Sequence, residues 1–196
     1  MIDFVYDFNS PYAYLAAHRV DALMPVEVTW RPVAFGILIR RIGKVPWSLS
    51  DEATVEQGKR ECERRVAEAG LPPLRWPEGW PAGNYSLVPL RAAVIAERHD
   101  RLRAFSLAAY RQTFVHGRDL RDVGHVVEAA REAGLDAEEI REGVEDPAVK
   151  DAVRAWTDGA IAEGITGIPT VVLSGGRHCW GDDRLEDAAD AAARDL

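Results

Sequence analysis

The residue with the widest chemical scope in this 196-residue chain is Ser10, at the head of Ser10-Pro11-Tyr12-Ala13. Ahead of it, Ile2, Phe4, Tyr6 and Phe8 alternate with Asp3, Val5, Asp7 and Asn9, the period-two pattern of a half-buried strand. Behind it, Pro11 is preset for the first helical position, and Tyr12, Ala16, Val20 and Leu23 share one helical face. A strand followed by a capped helix presents the Ser10 hydroxyl at a helix N-terminus. Free backbone N–H groups there favour an anion and would lower the pKa of a thiol brought to Ser10. A redox protein would carry Cys-x-x-Cys at this place. The two cysteines of this chain, Cys62 and Cys179, lie elsewhere and far apart, which removes the usual sequence basis for dithiol chemistry or a thiolate zinc site. Cys62 falls on the apolar stripe of an expected helix with Val55, Val66 and Ala69, as a small buried hydrophobe would. No metal is expected at Cys179, because His178 beside it would point to the opposite strand face and no second ligand cluster accompanies them.

The elements that must position Ser10 form three stretches. Val26, Val28 and Trp30 alternate with polar neighbours in a second strand that Pro32 ends or places at an edge, so the chain opens β-α-β. The middle predicts helices near 51–69, 87–99, 101–115, 119–133, 136–144 and from 147 onward, punctuated by Gly70, Gly117 and Gly134. Strands return at Pro169–Leu173 and Arg177–Trp180 around a Ser174-Gly175-Gly176 turn, followed by a helix from Arg184. A β-α-β unit and a β-β-α unit separated by a helical block predict one α/β domain, residues 1–35 with 157–196, interrupted by an α-helical insertion at 36–156. The net charge of −8 argues against general nucleic-acid binding, and no run of about 18 apolar residues suggests a membrane span. Without a secretory leader pattern, a cytoplasmic setting is expected.

Asp7-Phe8-Asn9-Ser10-Pro11-Tyr12-Ala13-Tyr14-Leu15, Gly164-Ile165-Thr166-Gly167-Ile168-Pro169-Thr170 and Trp180-Gly181-Asp182-Asp183-Arg184-Leu185 occur in that order. Together they resemble the three signatures of the 2-hydroxychromene-2-carboxylate isomerase and kappa-class glutathione transferase family. The resemblance spans nearly the whole chain. It implies a thioredoxin-like fold with a large helical insertion, glutathione as the bound thiol, an aromatic small-molecule substrate and a homodimer.

Each implied role has a plainer alternative. Ser10 would donate its hydroxyl hydrogen to a glutathione thiolate, or serve only as a helix cap; the two are compatible. Pro169 would be the cis proline of thioredoxin folds, with Ile168 offering its backbone to the cysteinyl part of glutathione, or a proline that starts a strand. Trp180, Gly181, Asp182 and Asp183 would receive the γ-glutamyl end, but Asp183-Arg184-Leu185-Glu186 also fits a capping box. Relatives more often carry Asn, Gln or Ser where this chain has Asp182, and the added charge would disfavour a ligand carboxylate unless the site rearranges. Relatives often show Gly-Asn where this chain has Gly43-Lys44, so Arg40, Arg41 and Lys44 form a cationic loop that would hold a substrate carboxylate or stay solvated. Tyr85, after Asn84, resembles a substrate-side residue, and with Trp76 and Trp80 would wall an aromatic pocket; core packing or a dimer contact explains the tryptophans equally well. The leading expectation is glutathione-dependent isomerisation, with kappa-like conjugation of electrophiles or non-catalytic glutathione binding as alternatives.

Overall fold

The computed structural model describes residues 1–81 and 86–195. Among these, a four-stranded sheet runs in the order β2-β1-β3-β4, with β1 at Ile2–Tyr6, β2 at Val28–Pro32, β3 at Thr170–Val172 and β4 at His178–Trp180. Strand β2 pairs parallel to β1 with Ile2 opposite Val28, while β3 pairs antiparallel to β1 with Val5 opposite Thr170, and to β4 with Thr170 opposite Trp180. Pro32 is tolerated because β2 is an edge strand and Pro32 its last residue.

The alternation in β1 predicts one buried face, yet both are buried. Ile2, Phe4 and Tyr6 enter the main core, and Val5 enters a second cluster with Val33, Leu38, Ala160, Ile165 and Ile168. A strand flanked on both sides and covered on both faces has no solvent side, so its polar positions must be paired. Asp3 meets Arg31 at 2.7 Å, and Arg31 in turn holds Glu163.

Helix α1 (Pro11–Ala17) starts where expected but stops at His18, and a separate short α2 (Val20–Leu23) follows. Helix α3 (Phe35–Arg41) occupies a stretch expected to be a loop, because Leu38 and Ile39 bury against the sheet side. The helical middle follows as α4 (Glu52–Glu68), α5 (Leu87–Arg98), α6 (Leu102–Tyr110), α7 (Val123–Glu132), α8 (Ala137–Gly143) and α9 (Pro147–Ala162). Asp51, Asp122, Asp136 and Asp146 each cap the next helix by accepting a backbone N–H. A π-helical turn, Arg111–Val115, extends α6. Helix α9 runs unbroken across the unit boundary expected at 156/157, and its Ala160 packs into the cluster around Val5. Helix α10 (Leu185–Arg194) closes the chain over the sheet.

Helix α6 is tied to the end of β1 by two buried bonds. The Tyr6 and Ser106 hydroxyls meet at 2.6 Å, and the Tyr110 hydroxyl donates to the Asp7 carbonyl at 3.1 Å. These bonds fix the loop that delivers Ser10.

Candidate active site at the N-terminus of helix α1

Ser10 is extended, at φ −97° and ψ 117°, and its Oγ accepts the Ala13 N–H at 3.2 Å, as an N-cap does. Accepting that bond leaves the hydroxyl proton free to be donated elsewhere. Helix α1 has only seven residues, so the local N–H groups of its first turn matter more than a long helix dipole would.

Asp7, three residues earlier, is buried. Its carboxylate accepts from the backbone N–H groups of Asn9 at 2.9 Å and Phe35 at 2.8 Å, and from the Ser86 hydroxyl at 2.8 Å. Burial raises its pKa, and the three bonds oppose that rise. The side chain thus joins β1, the start of α3 and the start of α5 just ahead of Ser10.

The Ile168–Pro169 peptide bond is cis, as the resemblance implies. Ile168 turns its side chain into the core, and among the described residues its backbone N–H and C=O take no protein partner. Pro169 accepts the Gly181 N–H through its carbonyl at 2.9 Å. The Trp180 indole lies so close over Gly167 that any side chain there would collide with it, yet Trp180 is 61% exposed. The cis-proline loop, Trp180, Gly181, Asp182 and Asp183 are therefore contiguous, and α1 packs beside the Asp182–Arg184 turn.

The capping box does not form. Gly181, at φ 115°, starts a 3-10 turn two residues earlier than the capping pattern requires, so Asp183 lies inside that turn. Helix α10 follows Arg184 without a side-chain cap, and Glu186 pairs with Arg19. The Asp183 carboxylate is exposed and has no hydrogen-bond or ion-pair partner among the described residues. Asp182 is buried and pairs with Arg65 of α4 at 2.8 Å. Desolvation, with some help from Asp183, raises its pKa to about 6 against the pull of Arg65.

An aromatic wall rises beside Asn9 and Tyr12. Trp76 and Trp80 lie 4.5 Å apart between ring centroids, Trp47 lies 5.6 Å from Trp80, and Tyr12 lies 5.9 Å from Trp47. The Trp80 indole N–H donates to the Asn9 carbonyl at 3.3 Å. Tyr85 and Asn84, expected here, lie outside the described residues.

Arg40, Arg41 and Lys44 are exposed at and beyond the end of α3. Arg41 pairs with Asp158 at 2.6 Å, and no contact among the described residues joins Arg40 or Lys44 to Ser10. From this region it is Trp47, not the cations, that reaches Tyr12. Sequence reasoning also missed Arg65. The available signal was its place three residues after the buried Cys62, on the same face of α4.

Neither of two hollows in the described structure is lined by Ser10. A cavity of about 10 Å³ beside Asn9, bounded by Ser86, Thr113 and Arg118, has room for one water. A hollow of about 520 Å³ lies by Met1, Val28 and Ser174, at the far end of β1 from Ser10.

The family model described as a DSBA-like thioredoxin domain matches residues 1–193. The chain belongs to this family. Within the wider comparison, it is 29% identical over 191 residues to 2-hydroxychromene-2-carboxylate isomerase of Sphingobium xenophagum, covering 94% of each chain. It is 24% identical over 200 residues to glutathione S-transferase kappa 1 of Homo sapiens, covering 94% of this chain and 87% of that one. A solved 2-hydroxychromene-2-carboxylate isomerase superposes with a TM-score of 0.85 at 21% identity, covering 98% of this chain and 94% of the other. The resemblance carried by the three motifs is thus borne out. So is the thioredoxin-like α/β fold. The two cysteines, Cys62 and Cys179, are both free, and neither lies in Ser10-Pro11-Tyr12-Ala13.

Proposed function

We propose that the chain is a glutathione-dependent isomerase that opens 2-hydroxychromene-2-carboxylate-like aromatic compounds to their benzylidenepyruvate form. The observation that carries this reading is the state of Ser10. Its oxygen is occupied by the Ala13 N–H, and its proton is free to stabilise an anion bound at the N-terminus of α1. The likeness to the Sphingobium xenophagum isomerase over nearly the full length supports the substrate class.

The residues present suit glutathione. Among the described residues the backbone N–H and C=O of Ile168 are without a partner next to the cis proline, the pairing that an extended cysteinyl segment needs. Asp183 offers the ligand ammonium a carboxylate that has no partner among the described residues. Glutathione, when bound, supplies a sulfur nucleophile that can add to a conjugated carbon and leave again, freeing a double bond to rotate. Ser10 favours the ionised sulfur. Trp47 and Trp76, both partly exposed around the buried Trp80, give a flat aromatic substrate apolar surface to lie against, which would orient it relative to Ser10. We extend the proposal to a cytoplasmic homodimer, a setting compatible with the finding that no described helix is long and apolar enough to cross a membrane.

Kappa-like transfer is the second reading, favoured by the match to the human enzyme. Incubating the purified chain with glutathione and a hydroxychromene carboxylate separates the two. Interconversion with no net loss of thiol is the expected result. A stoichiometric adduct would select the transferase, and binding without either product would leave a glutathione-binding protein.

A further inference from the structure

The buried ion pair between Arg65 and Asp182 has no part in the chemistry assigned above. Alone, a second negative charge beside Asp183 would repel a ligand carboxylate. The fold brings the compensating charge from α4. Arg65 Nη2 stands 2.8 Å from Asp182 Oδ2, with the Arg65 side chain 22% exposed and that of Asp182 4% exposed. The guanidinium also lies over the Tyr12 ring, 5.7 Å from its centroid, two residues beyond Ser10. The Tyr12 ring is also held edge-on by Trp47, at 5.9 Å between centroids.

A guanidinium has five N–H donors in a planar fork and can hold carboxylates on two edges at once, while a lysine ammonium can neither fork nor lie flat on a ring. Among the described residues the one ionic partner of Arg65 is Asp182, which occupies one edge from the buried side. Arg65 and Asp182 cancel in charge. What remains is the second edge of a guanidinium whose side chain is 22% exposed and, one residue along the chain from its buried partner, the exposed carboxylate of Asp183, unpartnered among the described residues. That pair is the complement of a zwitterion with one carboxylate and one ammonium.

We propose that Arg65 is a specificity-determining residue for the thiol: held against Tyr12 by Asp182, its outer edge takes the α-carboxylate of the γ-glutamyl end while Asp183 takes the ammonium. The chain therefore selects thiols that carry a free α-amino carboxylate. This inference rests on the glutathione reading and deepens it.

The test is direct binding by calorimetry, with no turnover involved. Two probes are used: glutathione, and glutathione with its γ-glutamyl α-carboxylate amidated. The full chain is compared with Arg65→Gln and Arg65→Lys, each checked for folding by thermal melting. The unaltered chain should bind the amide about 10- to 100-fold more weakly than glutathione, the range expected for losing a hydrogen-bonded charge. Arg65→Gln should lose a similar factor for glutathione and no longer distinguish the probes, with Arg65→Lys in between. Equal affinity of the unaltered chain for both probes overturns the proposal, and does so even if Arg65→Gln fails to fold. Equal weakening of both probes by Arg65→Gln, or no change, makes the pair a structural tie and also overturns it, leaving the glutathione reading intact. Failure of the unaltered chain to bind either probe removes both.

Discussion

At the scale of single residues, Ser10 offers two different atoms for two uses, one seen and one proposed. Its oxygen caps α1, and its hydrogen is left over. The two functions separate in Ser10→Ala, which deletes both. Losing the cap should cost about 0.5–2 kcal/mol of stability, leaving a folded chain. Losing the donor should move the thiolate absorbance of bound glutathione to higher pH and slow turnover at neutral pH. Titrating that absorbance in both proteins checks it, and identical thiol pKa and rate would reduce Ser10 to a cap. The same logic separates the adjacent aspartates. Asp182 is buried and spoken for by Arg65, whereas Asp183 is exposed and unpartnered among the described residues.

At the scale of elements, α4 is the helix that packs against Trp47, Tyr12 and Asp182 beside the candidate site. Gly58, Cys62 and Arg65 recur at spacings of four and three, so one face meets Trp47, Tyr12 and Asp182 in turn. A second face uses Lys59 and Glu63 to hold Trp76, the former over the ring at 5.8 Å and the latter accepting its indole N–H at 2.7 Å. Gly58 is needed because the Trp47 ring occupies the space a Cβ would take. Alanine in a free helix would gain about 1 kcal/mol over glycine. Here Gly58→Ala should instead destabilise the chain by about 1–3 kcal/mol, through overpacking against an aromatic ring. Urea unfolding measures the sign, and a raised midpoint would mean that Trp47 is not seated on α4.

At the scale of the whole molecule, buried carboxylates shape stability against pH. The pKa of Asp182 is raised to about 6 from an ordinary value of 3.8, and that of Asp7 is raised as well. A carboxyl with a raised pKa in the folded state binds its proton more tightly there than in the unfolded chain. Its contribution to stability is therefore greatest at low pH and is lost as pH rises from about 4 through about 6. The groups facing Asp182 are Arg65 of α4, Arg19 at the α1–α2 junction and Asp183 of its own turn, with Tyr12 and Cys62 uncharged in this range. More accessible acids such as Glu61 and Glu163, whose pKa values are lowered by Arg64 and Arg31, act in the opposite sense. The total curve thus mixes signs, and the difference between the chain and Asp182→Asn isolates one group. The melting temperature of the chain relative to Asp182→Asn should fall as pH rises from 4 to 6.5. A flat difference would show that Asp182 titrates as an ordinary exposed acid.

Local rules made much of this legible. The Ser10 cap, the proline after it, the aspartate caps of the middle helices and most helix limits follow from backbone bonds within one or two turns, which a short stretch of sequence specifies by itself. The three motifs were readable for the same reason, and they marked the family and the cis proline. Reading α1 as one long helix failed because the apolar face continues past His18 while the backbone does not, and α3 was missed because its burial depends on where the sheet lies. The capping box was a sound local pattern that lost to the turn begun at Gly181. Arg65 and Asp182 stand in opposite halves of the chain, and nothing near either residue announces the other. Their pairing, the covering of both faces of β1 and the meeting of Trp47 with Tyr12 are decided only when distant segments pack, because charge and shape complementarity across long sequence separations exist only once the topology has set them side by side.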